Sequence, residues 1–417
     1  MINRKKFFAV MFAASLMTNV TFAEETNTTS KIKVEGIEAT SELKADEIEY
    51  DMETQKAVAT NNVDVHHKID GDKKTFHLVA EKVEYDMEAQ IATATGNVDI
   101  QHEDKEKNET THLVSNEAEY NFGTQQAKAS GQVNAQHQAS GKESSYLEAD
   151  EIEYHMNTQD AKATGDVHVQ HQEEPGKEPA ELNADIVEYS VSKGIINAVG
   201  NVLLRQGTAR ATGLRAMYNT QTQEAYLIDD VIAVRDDVRI TCDKLLSDGT
   251  GHMQADGNVY GVQTVAPNEK YPAGDRRTFL GDHVDYYPND KKHVVIPAGG
   301  LVTSSDGDFT ADFMEGWLDE EYYIGTGNAH AISPPNDMEA GGDKVEYFGK
   351  NGGKAVMTGN AWAIQDNNTM RGNRITVYLD DSQNLNVKPE PTPKSEELSA
   401  QEVEVFEREK NSGGTNN

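Results

Sequence analysis

Between Ala161 and Val169 the chain alternates strictly. Ala161, Ala163, Gly165, Val167 and Val169 take one parity, and Lys162, Thr164, Asp166 and His168 take the other. A two-residue period with one apolar and one polar face predicts a half-buried β-strand. Ala92, Ala94, Gly96, Val98 and Ile100 repeat the pattern upstream. The preceding strand behaves differently. Leu147 and Ala149 share one parity and Ile152 and Tyr154 the other, so its apolar face switches near Asp150-Glu151. A bulge or corner there points both ends inward. No segment carries an amphipathic helical period.

The two-strand unit recurs. Tyr50, Tyr85, Tyr120, Tyr154 and Tyr189 lie 35, 35, 34 and 35 residues apart. Eleven residues after each stands Asn61, Gly96, Gly131, Gly165 or Gly200, followed at the next residue but one by Val63, Val98, Val133, Val167 or Val202. Two linked marks at a fixed offset define a true internal repeat. Divergent copies continue through Tyr218, Leu246, Tyr286, Trp317 and Tyr347, and Tyr378 opens a unit that stops, giving about ten units and a half. Near-identical repeats occupy 43–205 and divergent ones 206–380. Charged connectors such as Glu103 to Thr111 belong on a solvent face.

The ends read differently. Arg4, Lys5 and Lys6 precede a short apolar run and Thr21-Phe22-Ala23, so 1–23 is expected to be a signal peptide cleaved after Ala23. Residues 24–42 form an expected polar leader, and 381–417, with three prolines and many glutamates, an expected disordered tail. Removal of the signal takes the net charge from −33 to −36. Such a chain excludes nucleic-acid binding by counterion release. One cysteine, Cys242, excludes an intramolecular disulfide and reads as a small buried residue. The low apolar fraction, 36%, suits an elongated body over a compact globule.

Two strands per unit favour an all-β, elongated β-jelly-roll or solenoid over a propeller. Inward Ala, Gly and Val leave space between facing sheets, which predicts an open-ended apolar groove. The motif A-D-x-I-x-Y, a short turn, then A-x-A-x-G-N-V-x-V resembles the LptA/OstA-like family of periplasmic lipopolysaccharide-transport jelly rolls. It is carried by Ala45 to Tyr50, Ala149 to Tyr154, Ala184 to Tyr189, Gly96-Asn97-Val98, Gly200-Asn201-Val202 and Gly257-Asn258-Val259. The resemblance implies a periplasmic protein that binds lipopolysaccharide through lipid A. It also implies docking to transport-pathway partners, or to further copies head to tail, through terminal sheet edges. It implies no enzyme activity and no cofactor. This chain departs from the family in its length, its acidity and the near identity of its first five units.

On this reading the groove is lined by Val63, Val65, Val98, Ile100, Val133, Val167, Val169, Val202, Leu204 and Val231. Arginine is absent between Lys5 and Leu204 and then clusters. Arg205, Arg210 and Arg215 are candidate phosphate contacts, against the alternative of ion pairs within an acidic protein. His67, His102, His137 and His171 end four successive second strands at matching positions; stacked in a sheet they would form a ladder, against the favoured reading that duplicated units duplicate an exposed residue. No ligand spacing accompanies them, and no metal site is predicted. The carboxylate runs at Asp46-Glu47-Glu49 and Asp150-Glu151-Glu153 lack a calcium-loop pattern and read as a solvated face. Two other readings stay open: a ligand-free repeat spacer, and a carbohydrate-active β-helix whose carboxylates work in a pair.

Overall fold

The computed structural model describes residues 27–378, apart from 35–36, 70–72, 140–142, 173, 191, 351–352 and 366–367. The expected signal peptide and C-terminal tail lie outside the described residues. The chain opens with β1 (Asn27–Val34), β2 (Ile37–Lys44), β3 (Glu47–Asp51) and β4 (Lys56–Ile69). Long strands follow: β5 (Lys74–Asp86), β6 (Ile91–Asp104), β7 (Glu109–Asn121), β8 (Gln126–Ala139), β9 (Glu143–His155) and β10 (Asp160–Gln172). Next come β11 (Ala180–Ser190), β12 (Ile195–Gln206), β13 (Ala209–Asn219), β14 (Glu224–Arg235), β15 (Val238–Ser247), β16 (Met253–Val265) and β17 (Asp275–Tyr287). Four short strands are β18 (His293–Ile296), β19 (Gly300–Ser304), β20 (Gly307–Ala311) and β21 (Phe313–Trp317). The array closes with β22 (Tyr322–Ser333), β23 (Met338–Phe348), β24 (Lys354–Gln365) and β25 (Asn368–Tyr378).

Neighbours in sequence are neighbours in space. From β4 to β17, and again from β22 to β25, each strand pairs antiparallel with the next. Every unit is therefore one hairpin of a continuous meander, and the all-β elongated jelly roll stands. Residues 24–42, expected as a leader, enter the sheet from Asn27: β1 pairs with β2, and β2 covers the far half of β4. The Lys31-Ile32-Lys33-Val34 and Ile37-Glu38-Ala39 alternation explains why. It is strand-like, and it covers an edge that is otherwise open.

A corner sits where the parity switch placed it, with the extra residue on the partner strand. Thr95 pairs with Glu117 and Val98 with Ser115, so two residues of β6 oppose one of β7. These are Gly96 and Asn97, both with positive φ. The same bulge recurs at Gly165-Asp166, Gly200-Asn201, Gly257-Asn258, Gly327-Asn328 and Gly359-Asn360. Asn61-Asn62 and Asp229-Asp230 serve without glycine, because Asn and Asp tolerate the left-handed region. At the eighth unit Pro297 interrupts the strand, which divides into β18 and β19.

The bulge divides each strand into two limbs whose inner faces meet. Leu113, Val133, Leu147 and Ala149 on one limb share a buried cluster with Ala129, Ile152, Ala163 and Val187 on the other. Polar residues on the outer faces form exposed ion pairs, such as Lys128 with Glu151 at 2.8 Å and Lys162 with Glu188 at 3.3 Å. Pairs this exposed add little stability.

The corner is tied by side chains. The bulge asparagine donates to the acid of the A-D motif: Asn97 Nδ2 to Glu81 at 2.7 Å, Asn201 to Asp185 at 3.0 Å and Asn328 to Asp312 at 2.8 Å. Gly200 has φ +79°, and a Cβ there would collide with the Asp185 carboxylate. Gly200→Val is expected to lower stability by about 1–3 kcal/mol, from the strained φ alone. Gly200→Asn, which copies Asn61 of the first unit, is expected to cost less. Urea denaturation of the two variants checks the order.

Candidate functional site

The interior is built from rows that run across the strands. The repeat tyrosine is one of them. Tyr85, Tyr120, Tyr154 and Tyr189 face Ala92, Ala127 and Ala161 on their neighbours, so large and small side chains alternate and interlock. Tyr120, Tyr154 and Tyr189 are buried, while Tyr50 at the end of the array is exposed.

The valine after each bulge forms the row nearest the corner. Val63, Val98, Val133, Val167, Val202 and Val231 are all at most 1% exposed. They form the spine where the limbs converge, so no lipid reaches them unless the limbs part. Cys242 lies opposite Val231 in this row, and burial pushes its thiol up to about 12. It is an inert packing residue, as the sequence suggested. The next row outward runs Val65, Leu78, Ile100, Leu113, Ala135, Leu147, Val169, Leu182 and Leu204. Val65, Leu78, Leu113 and Leu147 are buried, and Ile100, Ala135, Val169, Leu182 and Leu204 are partly buried.

The row beyond it carries the histidines, of which His67 and His137 are buried and not exposed. His67 faces Phe76, which faces His102; Thr111, His137, Ser145 and His171 follow on successive strands. The ladder exists, but an intervening strand separates each histidine from the next by two strand spacings, about 10 Å. That is too far for two of them to share one metal ion. Thr111 Oγ1 lies 3.0 Å from His137 Nδ1, and Ser145 Oγ lies 2.9 Å from His171 Nδ1. Burial lowers the pKa of His67 and His102, against a backbone hydrogen bond that raises His102 in part.

The same rows change character in the C-terminal half. The Ile100 row passes through Gly261, Phe279, Val302 and Phe309, and the ring of Phe279 lies over Gly261. Ile296, Met314, Met338 and Met357 are buried beside it in one cluster. The interior is filled there by large side chains. The histidine row meanwhile reaches Val238, Gln263 and Arg277. Arg277 is buried. It donates to Asp275 at 3.1 Å, to the Leu318 carbonyl at 3.2 Å and to Glu321 at 2.8 Å. Leu318 and Glu321 belong to the turn at the far end of the other limb, so this arginine locks the two limb ends together.

A second tie reinforces it. Asp306 accepts from Lys270 at 3.2 Å and from the hydroxyls of Tyr271 and Tyr347 at 2.7 Å each. Burial alone would raise the Asp306 pKa, but Lys270 and the two hydroxyls outweigh it and hold it low. Burial likewise opposes the charge of Arg277, and its neighbours, Glu321 among them, keep it firmly protonated. Lys292 bridges Asp237 and Asp319 in the same manner. Nothing in the repeat pattern singles out Arg277 for this lock. The only signal was an arginine on the inward parity of a strand.

The other candidates fall outside the interior. Arg205 and Arg210 face each other across β12 and β13 on the parity opposite Leu204 and Ala211, hence on the outer face. Arg215 is committed to Asp229 at 2.7 Å and replaces the usual asparagine–acid tie of the corner. The acids of the repeated runs divide: Asp46 accepts from Asn62 at 2.9 Å and Asp150 sits over Gly165, both as corner residues. The remainder lie on the solvated face, as with Glu151 and Glu153 beside Lys128.

Two tests follow. Arg277→Ala is expected to cost about 3–5 kcal/mol, because it strands buried carboxylates, and to lower the thermal midpoint. The histidine row is pH-linked. Burial holds the folded-state pKa of His67 and His102 below the ordinary 6.5, so the contribution of these two is complete above that pH and is lost as pH falls through the folded values. Amide exchange in β4–β6, corrected for intrinsic rate, is expected to accelerate below pH 6.5, and a His67→Gln, His102→Gln pair is expected to flatten the response.

The protein-family model described as lipopolysaccharide-assembly, LptC-related, matches residues 71–164 and 135–236. No curated protein matches. Among solved structures the chain is similar to LptH, the LptA-homologous periplasmic component of the lipopolysaccharide transport device of Pseudomonas aeruginosa. That match has 13% identity and a TM-score of 0.21, and covers 39% of this chain and 94% of that one. The two matches together span 71–236, so it is this stretch of the array that is similar to the LptC-related family of lipopolysaccharide-assembly proteins.

Proposed function

We propose that the chain is a periplasmic carrier that shields the acyl chains of lipopolysaccharide between the two sheets of its first five units. The observation that carries this reading is the contrast within one continuous row. Ile100, Val169 and Leu204 keep part of their apolar surface open, where the same row downstream is filled by the buried rings of Phe279 and Phe309. Burial of acyl methylenes at roughly 0.8 kcal/mol each supplies affinity with no charged contact. A carrier of this kind works by desolvation along a length, and it needs no catalytic group.

The filled interior of β15–β24 favours a second role for that half, as a rigid spacer that carries the groove across a distance. The edge of β25, which pairs only with β24 among the described residues, is a surface for a transport partner or a further copy. A photo-crosslinking residue at Ile100 or Val169 is expected to capture lipopolysaccharide, and one at Lys162 or Phe279 is not. Capture at Lys162 alone, or no lipid in native mass spectrometry of protein from its own host, rejects the carrier reading and leaves the spacer.

A further inference from the structure

The outer face of the first hairpin holds three side chains that the transport reading does not use. Asp64 and His66 stand two apart on β4, on the parity opposite Val63 and Val65, and His77 faces His66 directly across β5. The two imidazoles lie parallel, with centroids 4.0 Å apart and planes 6° from each other. Both turn the same nitrogen towards one carboxylate oxygen: His66 Nε2 is 2.9 Å from Asp64 Oδ1 and His77 Nε2 is 3.2 Å from it. The three ligand atoms all lie within 4.8 Å of one another.

These contacts are short, but they are not hydrogen bonds. Asp64 Oδ1 and His77 Nε2 are both sealed from solvent and make none. The second unit supplies the comparison. Asp99, Gln101 and His112 stand at the matching places on β6 and β7. There Gln101 Nε2 donates to Asp99 Oδ1 at 3.2 Å, and His112 Nε2 lies at hydrogen-bond distance, 3.0 Å, from the same oxygen. The glutamine satisfies the frame. In the first unit a histidine replaces it, and a dry carboxylate oxygen is left facing two ring nitrogens with no proton aligned between them.

We propose that Asp64, His66 and His77 form a binding site for a divalent transition-metal ion of the zinc class. A cation held by all three at about 2.0–2.2 Å places its ligand atoms about 3.3 Å apart in tetrahedral geometry. The two measured edges on Asp64, 2.9 and 3.2 Å, are already near that value. Two imidazoles and one carboxylate select zinc, copper or nickel over calcium or magnesium, which require oxygen ligands. The side chains are a third or more exposed on their outer sides, apart from His77 at 31%, so the fourth position opens to solvent or to a ligand from outside. An ion here clips β4 to β5 near the start of the array, on the face opposite the lipid interior. The sequence hid the site because its ligands come from two strands and only one unit has all three.

The test is isothermal titration of the untagged full-length chain with Zn²⁺ alone. One equivalent is expected to bind at this site. His66→Gln, which copies the second unit, is expected to keep the fold and to weaken that binding by about 100-fold, at the upper end of what altering a ligand's support costs. His112→Gln, at the matching place in the second unit, is expected to leave it unchanged. Circular dichroism checks that both variants stay folded. If the wild type takes up no equivalent, if His66→Gln binds as tightly as wild type, or if His112→Gln weakens binding as much, the assignment is wrong. None of these outcomes touches lipid capture in the interior.

Discussion

The structure depends on a corner repeated in almost every unit. One extra residue on the second strand, held at positive φ, turns a long strand back on itself so that both limbs present an apolar face to the same interior. Without it, a strand of alternating residues has one dry face and one wet face along its whole length, and a meander of such strands is a flat open sheet. The corner makes that meander into two sheets packed face to face. The tie between bulge asparagine and facing acid, as in Asn201 with Asp185 and Asn360 with Asp343, satisfies polar groups at the bend. The acids of the A-D motif therefore act as hinge pins. They have no need of a metal or a substrate to account for them.

Once the corner is fixed, function is decided by what fills the space. Rows run unbroken across the strands, so one substitution per unit changes the interior locally without disturbing the frame. In the first units the rows are Val, Ala, Ile and Leu, with a histidine-containing row farther from the corner. In the later units phenylalanine and methionine fill the same space, and Arg277, Lys270 and Asp306 tie the limb ends. One frame thus carries small and medium aliphatics at one end and larger side chains with buried ion pairs at the other. Many acids lie on outer faces in exposed ion pairs, while Asp275 and Asp306 enter the interior to meet Arg277 and Lys270.

The sequence alone determined the repeat, the strand period, the parity switch and hence the corner, and the family that the motif resembles. These are legible because they are local: a period of two, a glycine-asparagine pair and a tyrosine at fixed offset need no knowledge of distant residues. It also determined which residues turn inward, including Cys242. Three matters were decided only by tertiary structure. Val98 and Ile100 look alike in sequence, yet the first is sealed beside the corner and the second keeps part of its surface open. Arg277 closes the body because its partners Leu318 and Glu321 arrive from a turn some forty residues on, brought there by the stacking of units. Asp64, His66 and His77 converge because antiparallel register sets His66 against His77. Contacts between strands depend on register and on limb angle, and neither is written in any single strand.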